Sequence, residues 1–332
     1  MSIELRKDPL NPKVISIIAS HRTWRPKEYK ETLVEFEGKC PFCPGNEHMT
    51  PPATLVALKK GETVAYSRDS DRGPIKEWIV RIIPNKYPIV SKKSESCYGY
   101  HEVIIESRSH DIKFDEISLK DLLIVFETTF KRAREILRDK RVNYLLWFRN
   151  EGSLAGASLK HPHSQIISFP FTPPLVLEEI EYFHILSEKL GDCPYCNFVE
   201  KEVKSPRLVY QNEHFVILSF YAPRVPFELK LIPKIHQSSP WFMNGQELKN
   251  FCDALKRCLS SLRATLPKLN YNMWIHSAPN DPKCDFHWHL ELLPVTAIWA
   301  GVEGGSGIYV VTLSPEDSAR MLRNMINSRS SY

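Results

Sequence analysis

An α+β fold, made of one unit used twice and built from antiparallel sheets with packed helices, is what this chain of 332 residues predicts. Three observations carry that expectation. The pair Cys40-Pro41-Phe42-Cys43 returns as Cys193-Pro194-Tyr195-Cys196, and His161-Pro162-His163 returns as His287-Trp288-His289. A histidine stands at the same distance before each His-x-His: His110 lies 51 residues ahead of His161 (161 − 110), and His236 lies 51 ahead of His287 (287 − 236). Strand-like and helix-like apolar periods follow one another in the same order in both halves. Unlike motifs at matching spacing imply a duplication. The expected units are residues 1–172 and 173–332, divided at Phe171-Thr172-Pro173-Pro174. The length agrees, since domains of roughly 150 residues are ordinary.

The elements follow in order. In the first half, residues 78–83 and 101–106 have strand character, with Pro84-Asn85-Lys86 turning after the first. Residues 121–138 carry Leu122, Val125, Phe126 and Phe130 at helical spacing, with acidic residues early and basic ones late, as the helix dipole favours. Strands at 143–148 and 164–169 close the unit. In the second half, strands are expected at 215–220 and 227–232, a helix at 246–266, and closing strands at 271–275 and 289–292. Even Asn143-Tyr144 recurs as Asn270-Tyr271 just after the helix. The tail adds a strand at 308–313 and a helix opening at Ser314-Pro315-Glu316, a capping residue followed by proline in the first turn.

Composition narrows the function. The net charge of +5 is mild and its basic residues are scattered, which suits a small anionic substrate better than nucleic acid. A zinc-finger reading also fails on spacing, because Cys43 and His110 are 67 residues apart (110 − 43). No apolar run approaches the roughly 20 residues that span a bilayer. The first residues lack an apolar signal region, so a cytoplasmic protein with no membrane partner is expected.

Four of the eight cysteines form the two Cys-x-x-Cys pairs. In a reducing compartment such pairs, completed by histidines, favour zinc over disulfides. The expected ligand sets are Cys40, Cys43, His110 and His161, and Cys193, Cys196, His236 and His287, giving two zinc ions per chain. Each His-x-His then leaves one imidazole over, His163 or His289. Before His163 runs Asn150-Glu151-Gly152-Ser153-Leu154-Ala155-Gly156-Ala157-Ser158, whose glycines and hydroxyls can bring donors to a phosphate, and Gln165 shares its strand face. The loop before His289 has no glycine and two carboxylates, and Glu291 replaces the glutamine. His163 is therefore the expected nucleophile, with its second nitrogen held by an acceptor such as a carbonyl of the His161-Pro162 turn. His21, His48, His101, His184 and His214 are taken as ordinary packed or surface imidazoles.

His161-Pro162-His163-Ser164-Gln165, with Cys40-Pro41-Phe42-Cys43-Pro44-Gly45-Asn46, resembles the galactose-1-phosphate uridylyltransferase family of the histidine-triad superfamily, near its ADP-glucose phosphorylase and archaeal-type branch. The resemblance spans nearly the whole chain. It implies two histidine-triad-like domains, a homodimer, nucleotide-sugar and hexose 1-phosphate substrates, and ping-pong transfer through a nucleotidyl-histidine. Galactose 1-phosphate is the expected acceptor. ADP-glucose or dinucleoside polyphosphate phosphorolysis is the alternative. By the same resemblance His163 and Gln165 are catalytic, while Arg22, Arg25, Asn85, Asn150 and Ser158 contact nucleotide and phosphate, and Glu303 contacts the hexose. Bacterial members hold a second metal with a glutamate and three histidines, matching Glu179, His276, His287 and His289; Cys193 and Cys196 depart from that pattern.

Overall fold

The computed structural model describes residues 3–24, 38–61 and 63–329. Its centre is one sheet of eleven strands. The first half supplies β3 (Leu55–Lys60), β4 (Thr63–Ser67), β5 (Val80–Pro84), β6 (His101–Ile105), β7 (Tyr144–Glu151) and β8 (His163–Phe169). The second supplies β9 (Leu208–Gln211), β10 (Phe215–Ser219), β11 (Leu229–Pro233), β12 (Tyr271–His276) and β13 (His289–Pro294). The order β4-β3-β5-β6-β8-β7-β12-β13-β11-β10-β9 contains the same four-strand arrangement twice: β5-β6-β8-β7 from one end is matched by β10-β11-β13-β12 from the other. The duplication is thus visible in topology. All pairings within this sheet are antiparallel, and the halves join where β7 pairs β12, with Asn150 opposite Asn272 and Phe148 opposite Trp274.

One face of the sheet is apolar because Leu145, Trp147, Ile166, Met273, Ile275 and Leu290 all point there. The helices α1 (Leu119–Ile136) and α4 (Gly245–Thr265) cover it together. Ser118 caps α1 by accepting the Asp121 amide at 3.1 Å, and Asn244 caps α4 while Glu247 reaches back to the Asn244 amide. Phe126 of α1 meets Phe251 of α4 edge-on, with centroids 5.0 Å apart. Each such ring contributes about 1.5–3 kcal/mol on burial, so the halves share a single hydrophobic layer.

The opposite face carries the chemistry. In antiparallel pairing, residues directly opposite share a face and successive residues alternate. Val103 lies opposite Gln165, Ile105 opposite His163 and Phe148 opposite Gln165. His101, His163, Gln165, Asn150 and Asn272 therefore all project from this side. In the second half it is covered by α2 (Pro174–Leu190) and α3 (Pro194–Glu202), which pack Phe183, Tyr195 and Phe198 onto Val216, Leu218 and Ile232.

A smaller sheet joins the ends of the chain. Its strands β1 (Glu4–Lys7) and β2 (Ile15–Ile18) are antiparallel, while β14 (Ile308–Val311) runs parallel to β2, so the sheets are not antiparallel throughout. The short helix α5 (Gly301–Ser306) precedes β14, and α6 (Pro315–Arg329) follows it. Arg6 reaches Glu316 at 3.1 Å, and Ser16 donates to Pro223 O at 2.6 Å, so this N-terminal stretch lies against the second half.

The expected elements occur with small boundary shifts. The strand expected at 227–232 begins at Leu229 because Phe227 sits in the left-handed region, with φ of 64°. The strand expected at 78–83 begins at Val80, since Trp78 turns inward to donate to Glu47 at 2.8 Å. Unexpected are β1 to β4, β9 and the helices α2, α3 and α5. Among the described residues no helix is long and apolar enough to cross a membrane.

Candidate active site and metal centres

His163 opens β8 with only 7% of its surface exposed. Its Nδ1 lies 2.8 Å from the carbonyl oxygen of His161. A carbonyl only accepts, so Nδ1 carries the hydrogen and Nε2 keeps the lone pair. Burial, aided by the nearby Arg149 guanidinium and opposed by the bond to the His161 carbonyl, brings the His163 pKa down to about 4, which keeps the ring neutral. Phe42, between the cysteines of the first pair, meets the His163 ring at 5.4 Å in an edge arrangement. Behind the strand, Arg149 donates to the His163 carbonyl at 2.6 Å and pairs with Glu106 at 3.1 Å and Glu151 at 3.0 Å.

Carboxamides surround the histidine on the same face. Gln165 Oε1 accepts from Asn85 Nδ2 at 3.1 Å and lies 2.8 Å from His101 Nε2. Asn150 Oδ1 accepts from Asn272 Nδ2 at 2.8 Å, and Asn272 also donates to Ala155 O at 2.8 Å. His101 and Asn272 belong to the site although the sequence marked neither. The glycine loop differs from expectation. The amides of Ala155 and Ala157 go to Gly152 O, and that of Gly156 goes to Ser153 O, so they are not turned outward as a row of donors. Gly152 is required for another reason. Its φ is 86° and a Cβ would come within 1.9 Å of Asn270 Oδ1. Ser158 is exposed where this loop leads into His161.

Both Cys-His sets converge, with all four candidate ligand atoms in each set within 4.8 Å of one another. In the first, Cys43 Sγ lies 3.4 Å from His110 Nδ1 and 3.7 Å from His161 Nδ1. In the second, His287 Nδ1 lies 3.3 Å from Cys193 Sγ and 3.7 Å from Cys196 Sγ. A tetrahedron with zinc–ligand bonds of about 2.0–2.3 Å has edges of roughly 3.3–3.8 Å, which these match. The far nitrogens are tied back as metal-bound imidazoles require: His161 Nε2 to Ser107 O at 2.8 Å, His287 Nε2 to Pro233 O at 3.0 Å, and His236 Nε2 to Asp285 at 2.7 Å. Buried His236 Nδ1 has no hydrogen-bond partner among the described residues. Burial, with Cys40 alongside, pushes the Cys43 thiol up to about 11, and burial pushes Cys193 up to about 12. Thiolates there need a cation, so the donor sets fit zinc.

A third convergence joins Glu179, His276, His289 and Glu291. It contains three of the four residues matched to the bacterial glutamate-histidine site, whereas His287 aims at the cysteines. Here Lys230 Nζ is 2.7 Å and Arg224 2.6 Å from the Glu291 carboxylate, so these cations already occupy it. His289 repeats the position of His163 with a different outcome. It is 0% exposed, Tyr195 lies stacked across it at 5.1 Å, and its Nε2 faces Glu291 at 3.6 Å and Glu179 at 4.0 Å. A phosphate has no approach to that nitrogen.

Arg22 and Glu303 group together near the small sheet. Arg22 is exposed, and the Glu303 carboxylate accepts the Ala300 amide at 2.9 Å and the Val310 amide at 3.3 Å. Although burial opposes it, these amides and the Arg22 charge hold Glu303 below the usual carboxylate range. Arg25 lies outside the described residues.

Comparison with known proteins meets this geometry. A family described as a domain of unknown function, DUF4921, matches residues 114–331. ADP-glucose phosphorylase of Arabidopsis thaliana is 30% identical, over 98% of this chain and 93% of its own length. The chain belongs to the galactose-1-phosphate uridylyltransferase family. The family's Thermotoga maritima enzyme, named galactose-1-phosphate uridylyltransferase, is 29% identical over 97% of this chain and 98% of its own. Among solved members, the crystal structure of the Arabidopsis ADP-glucose phosphorylase with bound ADP-glucose superposes with a TM-score of 0.83 at 28% identity, covering 97% of this chain and 99% of that one. A uridylyltransferase structure gives 0.75 at 26% identity, covering 98% and 99%.

Proposed function

We propose that this protein is a nucleotidylyltransferase acting on hexose 1-phosphates, a UDP-glucose:galactose-1-phosphate uridylyltransferase working through a nucleotidyl-histidine. The carrying observation is the His163 imidazole, neutral, with Nδ1–H on the His161 carbonyl and Nε2 unprotonated, on the sheet face that also carries Gln165 and Asn150. Nε2 attacks the α-phosphorus of UDP-glucose, the bond to the bridging oxygen breaks, and glucose 1-phosphate leaves as an anion that needs no proton. The positive charge gained by the ring is supported through Nδ1–H by the His161 carbonyl. A phosphate oxygen of galactose 1-phosphate then attacks phosphorus, the P–N bond breaks, and His163 is regenerated. Gln165 and Asn150 stabilise charge on the transferring phosphoryl group. Arg22, Arg25, Asn85 and Ser158 contact nucleotide and phosphate, and Glu303 the hexose.

Two zinc ions per chain complete the reading, one held by Cys40, Cys43, His110 and His161, the other by Cys193, Cys196, His236 and His287. Two thiolates neutralise each ion, so zinc here fixes structure. The units divide near residue 172, the molecule is a homodimer, and the eight free cysteines suit the reducing cytoplasm.

A second reading keeps His163 and changes the nucleotide: phosphorolysis of ADP-glucose, releasing glucose 1-phosphate and then ADP. It is favoured by the 30% identity and the 0.83 TM-score to the Arabidopsis phosphorylase. One experiment tests both. Wild-type protein is incubated with UDP-glucose or ADP-glucose labelled in the nucleotide, without acceptor, and the protein-bound label is counted. Label from UDP-glucose, chased by galactose 1-phosphate into UDP-galactose, supports the first reading. Label from ADP-glucose alone selects the second, and label from neither ends both.

A further inference from the structure

The hydrogen-bond polarity of the two carboxamides beside His163 can be traced to backbone groups, whose donor or acceptor character is fixed. The Ile89 amide donates to His101 Nδ1 at 3.2 Å, so that nitrogen is unprotonated and the neutral ring carries its hydrogen on Nε2. His101 Nε2–H then donates to Gln165 Oε1 at 2.8 Å. Next to it, with Nδ2 3.1 Å from His101 Nε2, Asn85 is oriented by the Tyr87 amide, which donates to Asn85 Oδ1 at 2.8 Å and leaves Asn85 Nδ2 to donate to the same Gln165 oxygen at 3.1 Å. Two donors therefore hold Gln165 Oε1, and the Gln165 NH2 group is the end left for a substrate. Asn150 obeys the same logic through the second half of the chain. The Ala155 carbonyl accepts from Asn272 Nδ2, whose other hydrogen goes to Asn150 Oδ1 at 2.8 Å, leaving the Asn150 NH2 group free to donate.

We propose that His101 and Asn272 are positioning residues that lock the amides of Gln165 and Asn150 with their N–H ends toward the transferring phosphoryl group. The inference rests on the nucleotidyl-His163 reading and adds to it. A free carboxamide turns over easily, and the reversed form would present a carbonyl oxygen to an anion. Holding both oxygens from behind fixes the favourable dipole before substrate arrives, which is where electrostatic catalysis gains over water. Burial lowers the His101 pKa while its bond to Gln165 raises it, with a net lowering that keeps the ring in the form that accepts from Ile89. Asn272 does this from β12, so the second half, though without an accessible nucleophile, helps to set the polarity of the first half's site.

The test uses the rate of label transfer to full-length zinc-loaded protein, from whichever nucleotide sugar labels the wild type. In His101→Asn the amide occupies the place of Nδ1, so the contact with Ile89 can persist while the donor to Gln165 is lost. In His101→Gln the amide nitrogen occupies the place of Nε2 and the donor is kept. Loss of one donor to a developing oxyanion costs about 10²–10³-fold, and a residue acting through Gln165 costs no more than Gln165 itself. H101N should therefore slow transfer roughly tenfold or more at little change in KM, and H101Q should restore it to within about threefold. In a Gln165→Ala background H101N should cost nothing further. Asn272→Asp, which can only accept from Asn150, should slow transfer similarly, and the loss should vanish in Asn150→Ala. Melting temperature and zinc content report folding, and H101Q keeps the test valid if H101N is unstable. A wild-type rate in H101N, or losses that multiply in the double variants, would overturn the proposal while leaving the nucleotidyl-histidine standing. A wild type that never labels would remove both.

Discussion

The carbonyl oxygen of His161 lies 2.8 Å from His163 Nδ1, while His161's own Nδ1 faces Cys43 Sγ at 3.7 Å. One residue thus ties the cysteine pair to the candidate nucleophile. Its carbonyl selects the tautomer of the reacting ring, and its imidazole fixes where that carbonyl sits. The His161 ring cannot rotate freely, because Nε2 is held by Ser107 O at 2.8 Å.

Removing a thiolate from the first set should therefore affect chemistry as well as stability. Cys43→Ser is expected to lower bound zinc from about two ions per chain to about one, since a closed structural site tolerates no missing ligand. Label transfer to His163 should fall with it. Cys196→Ser should release the other zinc and loosen α3 without moving the His161 carbonyl. Metal analysis beside the labelling rate checks this. Two zinc ions retained in Cys43→Ser would sink the assignment.

The two leftover histidines should differ sharply. His163→Asn is expected to abolish label transfer. His289→Asn should leave transfer intact and reduce stability by about 1–3 kcal/mol, the usual cost of disturbing a buried polar group. The reason is packing: Tyr195 covers His289, and Glu179 and Glu291 flank its Nε2. Denaturant midpoints and labelling rates separate the outcomes. Loss of transfer in His289→Asn with normal stability would show that the second half takes part in the chemistry.

Much of this site was legible in the chain because its markers are local. Cys-x-x-Cys pairs, His-x-His strands and their equal spacing mark both candidate ligand sets, which the fold brings together, and single out His163 as the candidate nucleophile without any knowledge of pairing. His101 was passed over as an ordinary imidazole because its role depends on β6 lying beside β8 with Val103 opposite Gln165. Asn272 was invisible for the same reason, as its partner Asn150 is across the β7–β12 seam. Phe42 and Tyr195 sit in equivalent motifs yet one stands edge-on to its histidine and the other lies flat. The glycine loop misled through composition, since glycines that fold a loop look the same as glycines that bare its amides. The helix α3 was missed because the second cysteine pair itself forms its first turn, with Cys193 as the cap.

The pH dependence follows from the His163 environment. The proposed nucleophile must act unprotonated, and burial has brought its pKa from 6.5 down to about 4. The neutral fraction is then complete well below the ordinary imidazole range, so label transfer should be flat between about pH 8 and 5.5. Stability carries the same sign. A group whose folded pKa is depressed supports the fold above its unfolded pKa, and that support declines as pH falls from 6.5 toward 4. A labelling rate that halves near pH 6.5 would contradict the neutral, buried ring.

The nucleophile can finally be tested by taking it out and giving it back. His163→Gly removes the imidazole but keeps the Gln165–His101 and Asn150–Asn272 pairs, which lie on neighbouring positions of the same face. The site left behind is the size of the missing ring and is flanked by Phe42, which met that ring edge-on at 5.4 Å. Free imidazole entering it would present a nitrogen to the α-phosphorus, while the carboxamides would still stabilise the phosphoryl charge. Those donors are usually a large share of catalysis, so the variant should cleave UDP-glucose, or ADP-glucose on the second reading, only when imidazole is added, at a rate rising with its concentration. The product should be free nucleotidyl-imidazole, and no label should remain on the protein. In the wild type the protein-bound label should be stable in base and lost in acid, as a phosphoramidate is. A glycine variant insensitive to imidazole, beside a wild type that turns over without ever labelling, would mean direct transfer between substrates and would end the case for His163 as nucleophile.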